Sequence, residues 1–314
     1  MGNFFSAVMT KNKIYSEFDV NSHEEIIAIH GLHDGVGGSN FVRIEMVPPS
    51  PMHLRFDEWA FCVDQEIVPD WFDATVAKAK MIRHMESLPK IAKDIRVFAG
   101  RAYFCTAHVG SMVGSAAISF AFDNARVGDV CDDARVGWVR DEARVGSVRN
   151  NASVGEVCDN ASVRDVYGDA SVGRVRDNAR VGMVYGNASV VDMRGDASVG
   201  SVCDNASVGV VYDNASVDDV RDNARVGVVH NNARVGDVYG DASVDWVFNN
   251  ASVGEVHKNA SVGEVCDNAS VGRVFDNASV GVVHANASVG RDMRAVNVRN
   301  EEIAAGRWAK KEGE

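Results

Sequence analysis

A nine-residue repeat fills residues 105–293 and constrains the fold more than any other feature of the chain. Twenty-one copies follow one another with the pattern Asp/Gly, Asn/Asp, Ala, Ser/Arg, Val, Gly, any, Val, any. A unit of this length cannot bury its own apolar side chains, so neighbouring copies must stack and share one core. The chain is therefore predicted to form an elongated repeat structure.

The apolar positions of the repeat favour β-structure. They are the third (Ala), the fifth (Val) and the eighth (Val). Ala-x-Val is a two-residue alternation, which places both side chains on one face of a strand. The sixth-position Gly is expected to allow a bend with positive φ, and the Asp/Gly-Asn/Asp pair is typical of turns. The pattern predicts a mainly β fold, a parallel β-solenoid.

A second, longer period of three repeats bears on how many repeats make one coil. The sixth-position Gly is replaced four times, each replacement 27 residues after the last, and the ninth position groups similar side chains at the same interval. The replacements are Arg164, Val191, Asp218 and Asp245, and one ninth-position series is Cys131, Cys158, Tyr185, Tyr212, Tyr239 and Cys266. Stacking of like on like predicts a three-sided, 27-residue coil, with seven coils in a rod of roughly 34 Å. The alternative is that this 27-residue period is only the unit of gene duplication and that the physical coil is smaller.

The segments on either side of the repeats differ from them in composition. Residues 1–104 contain all five prolines, and they predict a small α/β head with strands at 24–30, 40–47, 59–63 and 94–99. A helix is predicted at 70–88, because Pro69 and Asp70 suit a first helical turn. Residues 294–314 are charged and predict a C-terminal cap, which an open parallel stack needs against end-to-end pairing.

Charge and cysteine usage narrow the partners and the compartment. The repeats carry 26 acidic and 16 basic side chains, which account for −10 of the formal charge of −12. An acidic rod argues against direct nucleic-acid binding, although it is compatible with a DNA mimic that inhibits a nucleic-acid enzyme. No signal peptide or transmembrane stretch is visible, so we expect a cytoplasmic location, reduced thiols and no membrane partner. Cys131 and Cys158 are expected on adjacent rungs, close enough for a disulfide.

No catalytic constellation stands out in the sequence, so no catalytic residue and no cofactor are predicted. A small enzyme within residues 1–104, with the rod as a spacer, remains the alternative. On a 27-residue coil His230, His257 and His284 would lie on three successive rungs, where stacked imidazoles could bind a transition metal. The competing interpretation is a surface row inherited by duplication.

The variable seventh and ninth positions hold the candidate binding residues. These are outward aromatic side chains that could contact a glycan or another protein, or could only stabilise the stack: Tyr185, Tyr212, Tyr239, Trp138, Trp246, Phe248 and Phe275. An acidic row at Asp165, Asp192 and Asp219 suggests surface ion pairs, because Arg194 and Arg221 follow the last two by two residues. A calcium site is the alternative for this row.

Two motifs carry a resemblance to a known group of proteins. Tyr-Gly-Asn-Ala-Ser-Val at 185–190 and Tyr-Gly-Asp-Ala-Ser-Val at 239–244 resemble the Tyr-Gly-Asn/Asp-Ala-x-Val repeats of uncharacterised bacterial and phage β-solenoid proteins. Residues 40–73 resemble the leader domain that precedes such repeats. The resemblance implies a solenoid and a phage or mobile-element association, including a virion-associated location, but no activity. We therefore expect a non-enzymatic structural or binding protein, with a possible homo-oligomer through the head or the rod ends.

Overall fold

The computed structural model describes residues 5–18, 20–34, 40–284 and 286–293. The chain divides into two compact units, the head with Met1–Ala92 and Arg101–Cys105, and the solenoid with Lys93–Gly100 and Thr106–Glu314. The C-terminal cap predicted at 294–314 lies outside the described residues. Neither helix within the described ranges has the length and apolar character needed to cross a bilayer.

The head combines a small antiparallel sheet with two helices. The elements of the head are β1 Phe5–Thr10, β2 Ile14–Tyr15, α1 His23–Ile29, β3 Phe41–Val47, a 3₁₀ turn at Phe56–Glu58, β4 Ala60–Val63, α2 Ala74–Ser87, β5 Lys90–Ile91 and β7 Arg101–Cys105. In the antiparallel sheet the strands follow the order β2-β1-β3-β4, and β5 pairs with β7 in parallel.

Most of the predicted head elements are confirmed, and one is wrong. The strands predicted at 40–47 and 59–63 and the helix predicted at 70–88 appear as β3, β4 and α2. The segment predicted as a strand at 24–30 is the helix α1, because Ser22 caps it by accepting a hydrogen bond from the backbone N–H of Glu25. Asp73 caps α2 in the same way through Val76. The core beneath α1 is formed by Val8, Ile26 and Phe41.

The solenoid contains two parallel sheets, which we call even and odd after the strand numbers. The even sheet consists of β6 Ile95–Phe98, β8 His108–Met112, β10 Arg126–Val130, β12 Arg144–Val148, β14 Ser162–Val166, β16 Arg180–Val184, β18 Ser198–Val202, β20 Ser216–Val220, β22 Arg234–Val238, β24 Ser252–Val256, β26 Ser270–Val274 and β28 Ser288–Asp292. Its first strand, β6, is the strand predicted at 94–99. Each strand pairs with the strand two further along the chain, so one turn of the solenoid contains one even and one odd strand.

The odd sheet of the solenoid has the same construction. Within the solenoid unit its strands are β9 Ala117–Ala121, β11 Arg135–Val139, β13 Ser153–Val157, β15 Ser171–Val175, β17 Ser189–Met193, β19 Ser207–Val211, β21 Arg225–Val229, β23 Ser243–Val247, β25 Ser261–Val265 and β27 Ser279–Val283. The fold class predicted from the repeat, a parallel β-solenoid, is confirmed.

The predicted three-sided, 27-residue coil is wrong, because neighbours on the stack follow an 18-residue periodicity. Val127 of β10 pairs with Val109 of β8 and with Val145 of β12. One turn therefore contains two repeats, and about eleven turns stack to a length of roughly 50 Å rather than 34 Å. The 27-residue period corresponds to one and a half turns. It is a period of the sequence alone, as the alternative interpretation held.

The inward positions of the repeat are those predicted. The third-, fifth- and eighth-position side chains form the core between the sheets, with Val127, Val154 and Val181 each 1% exposed. These valines do not form one row, because Val154 belongs to the odd sheet and the other two to the even sheet. Small and β-branched side chains suit this narrow core, since they pack closely with little loss of side-chain entropy.

Positive φ occurs at the first position of the repeat and not at the sixth-position Gly. Asp177, for example, has φ of 58°, and Gly186 has φ of 71°. Asp, Asn and Gly tolerate this left-handed conformation, which explains why they dominate the first position. The sixth-position Gly has a different role: an added Cβ on Gly128 would lie 2.2 Å from the carbonyl oxygen of Gly110 on the rung before. Glycine there lets neighbouring strands approach closely.

Candidate binding surfaces of the solenoid

The turns between the sheets satisfy their own polar groups. The backbone N–H of Gly186 donates to Asp204 one turn later at 3.0 Å, and the amide of Asn187 donates to Asp169 one turn earlier at 3.0 Å. Similar ladders recur along the rod with the same one-turn offset. Carboxylates that accept backbone N–H groups are held in place by charge-assisted hydrogen bonds. The acidic residues of the turns thus have a structural role, because they accept hydrogen bonds from the turns on neighbouring rungs.

The three candidate histidines do not share a row. His257 follows an even strand, whereas His230 and His284 follow odd strands and are three turns apart. The shared row of three successive rungs, on which a metal site formed by all three depended, therefore does not exist, because His257 lies on the opposite sheet from the other two. His230 instead stacks on Tyr212, with ring centroids 4.9 Å apart. Its Nε2 atom lies 3.1 Å from the side-chain amide nitrogen of Asn249.

The predicted row of Tyr185, Tyr212 and Tyr239 is wrong for the same reason. Tyr185 and Tyr239 belong to the even side and Tyr212 to the odd side. The aromatic rings form shorter ladders of consecutive rungs, which are Tyr167–Tyr185, Tyr212–His230–Phe248 and Tyr239–His257–Phe275. In the last of these ladders the centroids are 4.6 and 4.4 Å apart and the rings are nearly parallel. Inner ring faces are therefore occupied by neighbouring rings, which stabilises the stack.

The two candidate tryptophans have different surroundings. Trp138 stacks on Phe120 with centroids 6.4 Å apart, and the guanidinium of Arg176 lies 5.8 Å from its ring. Trp246 pairs in register with Val228 on one side and Glu264 on the other, and it is 45% exposed. Trp246 is thus the candidate aromatic residue whose large apolar surface remains available to a partner.

An apolar patch surrounds Trp246 on the odd sheet. Three successive rungs contribute apolar or aromatic side chains at both the seventh and the ninth positions, and we call this set the odd patch: Val210, Tyr212, Val228, His230, Trp246 and Phe248. Val210 and Val228 were not among the binding residues predicted from the sequence. Valine at a position that mostly holds charged or polar residues was the available signal.

The seventh and ninth positions lie on the same side of the solenoid, which makes the odd patch continuous. Asp192 bonds Arg194 at 2.8 Å and Asp219 bonds Arg221 at 2.6 Å, so side chains two residues apart meet outside the core. These are the ion pairs predicted from the sequence. The prediction that the three acids form one row is wrong, because Asp192 is on the odd sheet while Asp165 and Asp219 are on the even sheet.

The cysteines are free, and the predicted disulfide partners are on different sheets. Cys131 follows the even strand β10, and Cys158 follows the odd strand β13. Burial raises the pKa of Cys158 to about 12, even though the cations Arg140 and Arg176 act in the opposite direction. Buried, protonated thiols of this kind are poor nucleophiles.

Comparison with known proteins gives no relative. No protein-family model, no curated protein and no solved structure matches the chain.

Proposed function

We propose that the protein is a non-enzymatic binding protein whose solenoid presents the odd patch to a protein partner. The observation that supports this proposal is the exposure of Trp246 within three rungs of apolar side chains. Elsewhere the seventh position commonly holds charged side chains that are paired locally, as at Asp192 and Asp219. Contiguous apolar surface on a soluble protein marks interaction sites, and tryptophan is enriched among the residues that dominate binding energy.

A protein fits the odd patch better than a glycan does. Glycan recognition by aromatic side chains uses exposed ring faces, yet His230 lies between Tyr212 and Phe248 within its ladder. The indole of Trp246 is exposed, and the other five side chains of the odd patch are half-buried. This composition resembles the core of a protein interface, which is apolar and poor in charge.

The experiment starts with a photo-crosslinking residue placed at position 228, next to Trp246 in the odd patch, which identifies the bound protein in extracts of the host while the indole is kept. The affinity of that purified partner is then measured for the wild-type chain, Trp246→Ser and Met183→Ser. Met183 is a matched control, because it occupies the same repeat position on the even sheet and is 48% exposed. We expect Trp246→Ser to weaken binding at least about 30-fold, as for a dominant interface residue, and Met183→Ser to leave it unchanged.

A third variant separates the rod from the head. Phe61, Lys78 and Ile82 line a groove of about 420 Å³ in the head. If Ile82→Asp abolishes binding while Trp246→Ser does not, the head is the functional part and the rod is a spacer. The alternative of a small enzyme in residues 1–104 would gain support from that result, whereas loss of binding only in Trp246→Ser supports the odd patch.

The DNA-mimic alternative has less support from the arrangement of charges. Asp219 pairs with Arg221, and Glu255 pairs with both His257 and Arg273. Local neutralisation of this kind reduces the negative field that a DNA mimic needs. Competition between the chain and duplex DNA for a nucleic-acid enzyme is the direct test of this alternative. The phage or mobile-element association, with its virion-associated or cytoplasmic location, belongs to the same proposal and is supported by the repeat motif alone.

A further inference from the structure

Three potential metal ligands converge on the odd side of the solenoid, outside the odd patch. Glu264 and Cys266 occupy the seventh and ninth positions of one repeat, and His284 occupies the ninth position one turn later. One ligand atom from each residue lies within 4.8 Å of the other two. The Nε2 atom of His284 is 3.5 Å from the Oε2 atom of Glu264. A thiol, an imidazole and a carboxylate thus face one point on the surface.

A second cluster of possible ligands, Cys158, Asp159 and Asp177, has a different character. The guanidinium of Arg140 lies 3.1 Å from Asp159, and that of Arg176 lies 3.0 Å from Asp177. Two fixed cations already neutralise these carboxylates. A metal ion would have to displace them, so this cluster is a set of ion pairs.

A third cluster, in the head, has no nitrogen to offer a metal. The Nδ1 atom of His23 lies 3.2 Å from the carboxylate of Asp64, and its Nε2 atom lies 3.1 Å from the carbonyl oxygen of Ile44. Both ring nitrogens of His23 therefore face hydrogen-bond acceptors. Glu45 completes the cluster, but the imidazole of His23 already has a hydrogen-bond partner at each of its nitrogens.

The charges around Cys266 favour a bound cation. Among the residues that the structure describes, no Arg or Lys side chain forms an ion pair with Glu264. Glu264 and Asp267 lie on either side of Cys266 in the sequence, and a carboxylate oxygen of Glu264 lies within 4.8 Å of the Cys266 sulfur. A divalent cation would be stabilised by these negative charges.

We propose that Glu264, Cys266 and His284 form a binding site for a transition-metal dication, specifically zinc. Sulfur, imidazole nitrogen and carboxylate oxygen are the three ligand types that proteins use for zinc, whereas calcium and magnesium require oxygen ligands. Three protein ligands leave a fourth position for water or for a side chain of a partner. The bound ion would join β25 to the turn that follows β27, and would therefore tie two successive rungs of the odd sheet together.

The test uses the full-length, reduced chain titrated with Co²⁺ as a spectroscopic substitute for zinc, followed by displacement with Zn²⁺. We expect one ion per chain with a thiolate-to-cobalt charge-transfer band. Cys266→Ser should abolish that band. His284→Gln should weaken binding by more than the roughly 10–100-fold that results from losing an outer hydrogen-bond partner of a ligand.

Two control variants test whether the site is specific. Cys203→Ser removes another partly exposed cysteine at the ninth position, and His257→Gln removes another histidine paired with a glutamate. Both should bind cobalt as the wild-type chain does. Unchanged binding in Cys266→Ser or His284→Gln, equal losses in the controls, or a cobalt spectrum without the thiolate band would overturn the proposal. Thermal melts of the metal-free variants establish that each is folded, since all four positions lie outside the core.

Discussion

Val181 provides the sharpest test of the inward assignment and of the stacking order. It is 1% exposed in β16 and pairs with Val163 on the rung before and Val199 on the rung after. Replacing it with Asp puts a carboxyl group in a core made of alanine and valine side chains, where no polar partner faces it. The neighbouring Arg180→Asp is the matched control, because Arg180 is exposed.

The expected cost of Val181→Asp has two parts. Losing the burial of one valine side chain costs about 1.5–3 kcal/mol. Burying a carboxyl group without a partner adds about 1–3 kcal/mol even when it is protonated, and more when it is charged. The sum of about 2.5–6 kcal/mol is a large part of the roughly 5–15 kcal/mol that is typical of a whole domain. Because each rung contacts only its neighbours, the loss should be concentrated around β16.

Hydrogen exchange measured by mass spectrometry on peptides from the solenoid is the appropriate assay. Val181→Asp should increase amide exchange most in β14, β16 and β18, and should lower the melting temperature of the rod. Arg180→Asp should change neither by much. An unchanged melting temperature for Val181→Asp would refute the inward position of Val181. The 18-residue coil would be refuted if amide exchange increased most around Val154 and Val208, which are three repeats away.

Three further predictions follow from the coil, the turns and the buried thiol. Mild oxidation should not join Cys131 to Cys158, whereas Arg149→Cys should cross-link to Cys131, one turn away, in non-reducing electrophoresis. Asp177→Val should lower the melting temperature because a β-branched side chain disfavours φ of 58°, whereas Asp177→Asn, which tolerates this φ and keeps an acceptor for the backbone N–H of Asp159, should be nearly neutral. Cys158 should react slowly with iodoacetamide in the folded chain at mildly alkaline pH and rapidly in denaturant. Since burial raises its pKa to about 12 from 9.0, its contribution to the free energy of unfolding should decline as the pH rises from about 9 to 12.

The sequence predicted the solenoid because the inward side chains are nearly identical in all repeats. Val127 and Val154 belong to different sheets, yet their local sequences, Ala-Arg-Val-Gly and Ala-Ser-Val-Gly, both place valine inward. The same uniformity hid the size of the coil. A core in which every rung is equivalent gives no preference for stacking every two repeats or every three. The outward residues were therefore the only guide, and their 27-residue period differs from the 18-residue period of the coil.

The remaining errors also have physical causes. Glu24–Ile29 lacks a long helical pattern, and the capping sequence from Ser22 to Glu25 was the missed indication of a helix. The odd patch was found only in part, because Val210 and Val228 differ little from the structural valines beside them in the sequence. The pairing of Cys266 with His284 needs the 18-residue register, which the sequence did not reveal.

The equivalence of the two sheets has a consequence for how such a chain can evolve. Gain or loss of a single nonapeptide leaves the core intact, because every repeat presents the same inward side chains to its neighbours. It nevertheless moves every later residue to the opposite face of the rod. Gain or loss of two nonapeptides changes the length and preserves the faces. Recombination that adds or removes an odd number of repeats therefore combines residues of the two former faces into new surfaces. Recombination that adds or removes an even number lengthens or shortens the existing surfaces.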